Sequence, residues 1–180
     1  MNKLKFISFA FALLLGASFT SCSDDDDDDT TPEPTILHHT DVEFPVTANS
    51  VCFYSTSLNK VFTSEEITSA NVGQIDIVFK NFGNYLFFFE SPTEEIAIDG
   101  ARETVYRTYV TDDFMTDEIF NAIAESSDLA NYNFAANDEA FPASLTPIYV
   151  IFRNASAKTG IINVKSISNG KAIIDIKVQK

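Results

Sequence analysis

From about Ile36 onward, apolar and polar residues alternate along the chain with a period of two, the mark of half-buried β-strands. Ile75, Ile77 and Phe79 alternate with Asp76 and Lys80, and Tyr106, Thr108 and Val110 alternate with Val105, Arg107 and Tyr109. Ile148, Val150 and Phe152 oppose Tyr149, Ile151 and Arg153, with Pro147 at the strand's start, where its missing donor is harmless. Tyr85, Phe87 and Phe89 alternate with Leu86 and Phe88, so this strand is expected to be buried on both faces. Val51–Ser55 and Lys60–Phe62 read as shorter strands.

The last hairpin is the most legible element. Residues 161–167 and 171–178 flank Ser168-Asn169-Gly170. A two-residue Asn-Gly loop would set Val164 opposite Asp175 and Ile162 opposite Lys177, mixing apolar and polar faces. A three-residue loop with Gly170 left-handed sets Val164 opposite Ile174, Ile162 opposite Ile176, Asn163 opposite Asp175 and Ile161 opposite Lys177. Register follows the buried face, so the three-residue loop with its bulge is the expectation.

Helix is sparse. Thr116 is placed to cap a segment with Asp117 and Glu118 in its first turn, and Ile119, Phe120 and Ile123 form one apolar face reaching about Ser127. Thr63 and Glu66 fit a capping box for a single turn near residues 65–69. Residues 131–145 are loop-like. The expected fold is mainly β, an antiparallel sandwich-like or sheet-rich single domain with one short helix. An α+β arrangement is the alternative.

The N-terminus has a different pattern. Lys3 and Lys5 precede an apolar stretch over residues 6–15 and small residues up to Ser21, the three-part order of a secretory signal. That stretch is shorter than the roughly 20 residues a spanning helix needs. Phe19-Thr20-Ser21-Cys22 resembles a lipobox, in which Cys22 becomes the lipidated first residue of the mature chain. Phe at the first position departs from the usual Leu. Ser23, Asp24, Asp25, Asp26 and Asp27, with Asp28 and Asp29 behind them, resemble the export signal of surface lipoproteins in Bacteroidota. Asp29-Thr30-Thr31 resembles the short O-glycosylation sequon of that phylum, with Thr30 as acceptor. The resulting division is a signal peptide over 1–21, an acidic, proline-bearing tether over 22–35 and one β-rich domain over 36–180. The implied localisation is the outer membrane, lipid-anchored through acyl chains on Cys22 and facing outward.

Charge narrows the partners. The chain carries a formal −14, and losing Lys3 and Lys5 with the signal takes it to −16. So acidic a surface repels phosphate backbones and anionic bilayers, which argues against nucleic-acid binding and leaves lipid as the membrane attachment.

Candidate chemistry is thin. His38 and His39 are adjacent at the junction of tether and domain, and neighbouring side chains on an extended segment point opposite ways, so they make a poor joint metal site. Cys52, without a partner once Cys22 is lipidated, reads as a small buried strand residue. Ser57-Leu58-Asn59-Lys60, Ser69-Ala70-Asn71 and Lys158-Thr159-Gly160 match in order the short elements of penicillin-recognising enzymes. Their spacing leaves no room for the helical domain that chemistry needs. Carboxylates abound, but Asp112 and Asp113 read as a helix lead-in and Asp138 and Glu139 as solvated loop. No motif calls for a metal or cofactor. Tyr54, Tyr109, Tyr132 and Tyr149 are the candidates for an aromatic sugar platform, in a chain without Trp.

Phe53, Gln74-Ile75-Asp76-Ile77-Val78-Phe79, Glu90-Ser91-Pro92 and the ending Lys158-Thr159-Gly160-Ile161-Ile162-Asn163-Val164-Lys165 through Ile174-Asp175-Ile176-Lys177-Val178-Gln179-Lys180 resemble a group of Bacteroidota surface lipoproteins. Those carry strand-rich domains closed by a similar hairpin. The resemblance implies location and a β-rich fold, and brings no activity with it. The expectation is therefore a non-enzymatic binding module for an extracellular glycan or protein. The alternatives are a hydrolase of extracellular polymers and an adhesion or structural subunit.

Overall fold

A computed structural model describes residues 35–180, apart from Asn84, residues 111–114, Asn131 and Asp138. The signal and tether features, Cys22, Ser23, Asp24 to Asp27 and Thr30 among them, lie outside the described residues, as do Asp112, Asp113 and Asp138.

The fold is mainly β and built from two antiparallel sheets. The strands are β1 (Ile36–Pro45), β2 (Val51–Ser55), β3 (Lys60–Phe62), β4 (Ile77–Phe82), β5 (Leu86–Glu90), β6 (Thr104–Tyr109), β7 (Ile148–Asn154), β8 (Thr159–Ser168) and β9 (Lys171–Gln179). One sheet runs β1-β9-β8-β7-β6 and the other β3-β2-β4-β5. Their inner faces meet in a core of Phe44, Tyr54, Phe79, Phe87, Phe152 and the aliphatic residues of β7 to β9. Period two puts these side chains on one face, and burial of that face drives the sandwich. Cys52 is 3% exposed in this core, its Sγ donates to the Pro45 carbonyl, and burial pushes its thiol up to about 11.

Both outer faces carry covers. Phe53, Phe62, Val78 and Ile75 pack beneath the single 3-10 turns Ser64–Glu66 and Val72–Gln74 and beneath α1 (Pro92–Glu95). Thr63 and Glu66 form the expected capping box. On the five-stranded sheet, Ile151 and Ile161 pack beneath α2 (Asp117–Ala122) and α3 (Ser126–Ala130). The sequence predicts one helix here and the structure has two, making three short helices among the described residues. Thr116 caps α2 as expected, its hydroxyl accepting from the Ile119 N–H.

The break after α2 has a physical cause. Lys177 is 4% exposed, and its Nζ donates to the carbonyls of Phe120 (2.9 Å), Asn121 (3.4 Å) and Ile123 (2.7 Å). In a continuous helix the Phe120 and Asn121 carbonyls would accept from Ala124 and Glu125. Those two N–H groups instead donate to Asp128 Oδ2, at 2.8 and 2.9 Å. One cation takes the acceptors and one carboxylate takes the donors, so the helix divides. These two backbone bonds hold the Asp128 carboxyl below its ordinary value.

The last hairpin corrects a detail of the sequence reading. All four expected pairs are present: Val164–Ile174, Ile162–Ile176, Asn163–Asp175 and Ile161–Lys177. The loop, however, has two residues, because Ser168 pairs with Lys171 and both Asn169 and Gly170 have positive φ. A bulge between Val164 and Ser166 supplies the one-residue shift that the three-residue loop was meant to provide. β1 shifts register at the same level, between His39 and Val42. Asp175 ties the two irregularities together, since its Oδ1 accepts from the Asp41 N–H at 2.7 Å and pairs with Lys165 at 2.8 Å. Lys165 also pairs with Asp41.

Candidate functional site

Strand directions sort the loops into two ends. One end holds Thr35, the last residue Lys180, the β2–β3 turn, the start of β4 and the β7–β8 turn. Thr35 is fixed there: its carbonyl accepts from Lys180 N–H, and its Oγ1 accepts from Ser126 N–H at 2.8 Å. The other end holds the β4–β5 and β8–β9 turns.

A polar cleft of about 220 Å³ opens at the Thr35 end. Its walls come from four loops: Thr56 and Ser57 after β2, Gly73 and Gln74 in a 3-10 turn, Arg102 before β6, and the turn from Asn154 to Lys158. Asp76 sits at their meeting point. Its N–H donates to the Tyr54 carbonyl and its own carbonyl accepts from the Tyr106 hydroxyl (2.9 Å), so the core fixes its backbone. Its Oδ2 accepts from the Thr56 N–H (3.0 Å) and hydroxyl (2.6 Å), and its Oδ1 accepts from Asn154 Nδ2 (3.0 Å). Asn154 Oδ1 in turn accepts the N–H groups of Ser156 and Lys158, both at 3.1 Å. The carboxylate thus organises two loops far apart in the chain.

The cations in this cleft differ from those elsewhere. Lys60, Lys80, Lys165 and Lys171 pair with carboxylates. Arg107, Arg153 and Lys177 donate to carbonyls, and Lys180 is also engaged. The Arg102 guanidinium and the Lys158 ammonium have no hydrogen-bond or ion-pair partner among the described residues, and both residues line the cleft. Asp76 is the one carboxylate in the lining among the described residues.

The expected tyrosine platform is distributed differently. Tyr54 is 0% exposed, its hydroxyl donating to Asn59 Oδ1, and burial pushes its pKa up. Tyr149 is buried on the other side of the five-stranded sheet, its hydroxyl donating to Asp117 Oδ1 at 2.6 Å. Neither presents a face to solvent. Tyr109 pairs across strands with Tyr149, and with Tyr132 and Phe134 it packs, half-buried, on that outer cluster. Tyr132 also lines an open depression of about 470 Å³ beside α2 and α3. Another of about 400 Å³ lies between Pro45, Cys52 and Phe62.

His38 and His39 belong to β1 rather than to a junction. Their side chains do diverge: His38 packs edge-on to Phe120, while His39 packs on Tyr54 and donates to the Thr56 carbonyl at 2.8 Å. Among the described residues no group of three His, Cys, Asp or Glu is placed to hold a metal. Ser57 lies within the β2–β3 turn and Lys60 opens β3, and Gly160 of the Lys-Thr-Gly run has a packing role: a Cβ there would lie 2.3 Å from the Phe152 ring.

Sequence reading missed Arg102 and singled out Lys158 only within the Lys-Thr-Gly run; the two are 56 residues apart and share only the cleft. It also missed Phe82 and Tyr85, which stand 61% and 58% exposed at the β4–β5 turn. β5 begins at Leu86, so Tyr85 lies in the turn instead of on the buried face.

No protein-family model matches the chain, and no curated protein matches it. A solved structure of a DUF4466 family protein from Parabacteroides merdae is similar at 12% identity with a TM-score of 0.46. The match covers 81% of this chain and 54% of that one, so the chain spans about half the length of the solved protein.

Proposed function

We propose that this chain is a lipid-anchored, surface-displayed binding module for an extracellular glycan, with the cleft around Asp76 as its site. The observation that carries the reading is the pair of cationic groups of Arg102 and Lys158, without partners among the described residues in a cleft of hydroxyl and amide groups on an otherwise acidic chain. Unpaired polar groups in a shaped hollow are what ligand sites keep in reserve. The signal-like start, Cys22 and the Ser23-to-Asp29 run support attachment and display. Acyl chains contribute about 0.8 kcal/mol per buried CH₂, so two or more anchor a chain stably.

Two measurements test this reading. Labelled palmitate should enter the wild-type chain and not the Cys22→Ala variant, and protease added to intact cells should release the domain. Resistance in intact cells with sensitivity after lysis would return the protein to the periplasm. An array of neutral and acidic polysaccharides probed with the full chain in detergent tests binding, and silence across the array would sink the module reading.

A protein-contact reading attaches to the opposite end. Phe82 and Tyr85 are exposed there on a turn pinned by Asn49 Oδ1, which accepts from the Gly83 N–H. Paired exposed aromatics are common anchors of protein interfaces.

A further inference from the structure

We infer that the cleft takes an acidic sugar, a hexuronate residue of a polysaccharide, with Arg102 and Lys158 holding its carboxylate and Asp76 accepting one of its hydroxyls. The inference rests on the binding-module reading and narrows it to one ligand class.

The argument starts from partners already used. In a chain with 26 acidic and 12 basic residues, every lysine and arginine has carboxylates available in excess. Two whose charged groups have no partner among the described residues, and that line the same cleft, leave a local positive site that those residues do not consume. A planar guanidinium and an ammonium lining one small cleft are suited to receive a carboxylate.

Asp76 supplies the second half of the recognition. An ionised carboxylate has about four lone-pair sites. Three are taken, by the Thr56 N–H, the Thr56 hydroxyl and Asn154 Nδ2, so one is open to a further donor. A carboxylate or phosphodiester with no hydroxyl beside it offers none and would be repelled by Asp76. A sugar acid brings both groups at once, a carboxylate for the cations and hydroxyls for Asp76, Ser57 and Gln74.

Size agrees with this class. At roughly 30 Å³ per water, about 220 Å³ is the room of about seven waters, well below the 300–1,000 Å³ of drug-sized pockets. One ring fits, with the rest of the polymer running out over the exposed rim of Gln74, Arg102 and Ser156. An acidic peptide would bring an apolar stem to each carboxylate, and Leu37 is the one large apolar residue in the lining.

The test uses the full chain in detergent, titrated at fixed ionic strength with hexuronate oligomers, their carboxyl-reduced neutral counterparts and oligoglutamate. The hexuronates should bind and the reduced sugars should bind at least about tenfold more weakly. Arg102→Ala and Lys158→Ala should each cost about tenfold in affinity for the acidic oligomer, the loss expected of one charge-assisted hydrogen bond. Neither substitution removes a side-chain partner among the described residues, so the melting temperature should stay unchanged and separate lost binding from lost folding. Equal binding of acidic and neutral oligomers would overturn the inference while leaving the module reading intact. Preference for oligoglutamate would overturn the sugar class. Failure of every hexuronate would overturn the inference alone, because the module reading is decided separately on the wider array.

Discussion

The two faces of the five-stranded sheet are built from the same strands and held by different physics. Its inner face is closed by apolar contact: Ile162, Val164, Ile174 and Ile176 meet Phe44, Phe79 and Phe152 with no charge among them. Its outer face is closed by a short two-helix cover whose break depends on Lys177 and Asp128. The inner face is sensitive to shape. The outer face is sensitive to charge, hydrogen bonds and pH, so the two should fail under different perturbations.

The largest effect is expected from the inner face. Phe152 and Gly160 are cross-strand partners, and a Cβ at Gly160 would lie 2.3 Å from the Phe152 ring and 2.9 Å from the Lys177 carbonyl oxygen. Gly160→Ala should cost about 3 kcal/mol, the upper range for overpacking, and lower Tm by about 10 °C. Phe152→Leu in the same chain should restore part of that loss, since the ring is one of the two obstacles. A melting curve of Gly160→Ala that overlays wild type would show that the strand can move aside.

On the outer face, Lys177→Met should cost about 2 kcal/mol by leaving carbonyls without a donor. Asp128→Ala should destabilise as well, in the helical signal more than in near-ultraviolet dichroism. The double variant is the sharper experiment. With both side chains gone, the freed carbonyls of Phe120 and Asn121 and the freed N–H groups of Ala124 and Glu125 can bond each other in one helix. The pair should therefore cost less than the sum of the single variants. Strict additivity would mean the helix break has another cause.

A pH titration separates the faces without mutation. Backbone N–H bonds hold the Asp128 carboxyl below its ordinary 3.8, so its folded state binds a proton more weakly than the unfolded chain. The stability it contributes is full above 3.8 and is lost as pH falls through its lower folded value. The capping-box carboxyl of Glu66 is lowered too and behaves in the same direction. Protection factors at Ala124 and Glu125, corrected for the intrinsic pH dependence of exchange, should fall below about pH 4 while the β7–β8 amides stay protected. The smallest effect belongs to Lys171→Ala, which removes an exposed pair with Glu43 and should change stability by less than about 0.5 kcal/mol.

The inner face was the legible one. Alternation located β4, β6, β7 and the last hairpin, because one buried side of a strand leaves a trace in every second residue. The register of residues 161–164 was readable for the same reason. The bulge at Lys165 was not, since two-residue loop plus bulge and three-residue loop give the same pairing beyond it. The outer cover was half legible: Thr116 and its acidic first turn announced α2, but the break depends on Lys177, more than fifty residues further on. The cleft was illegible in principle. Arg102 and Lys158 look like any other surface cations until the partners of all the others have been assigned in three dimensions.

The way Thr35 is fastened has a mechanical consequence. Force applied through the preceding chain enters at the end of β1, where Thr35 is bonded to Lys180 and Ser126, and passes into β9 through the Ile36–Gln179 and Leu37–Val178 pairs. Leu37 and Gln179 also line the cleft. A polymer held in that cleft would load the same corner from the other side, so tension would run across one end of the sandwich, and part of it would reach the core through Asp76 and its bonds to Tyr54 and Tyr106. Under the proposed anchoring and ligand, pull from both would converge on this one corner, far from the β8–β9 turn at the other end.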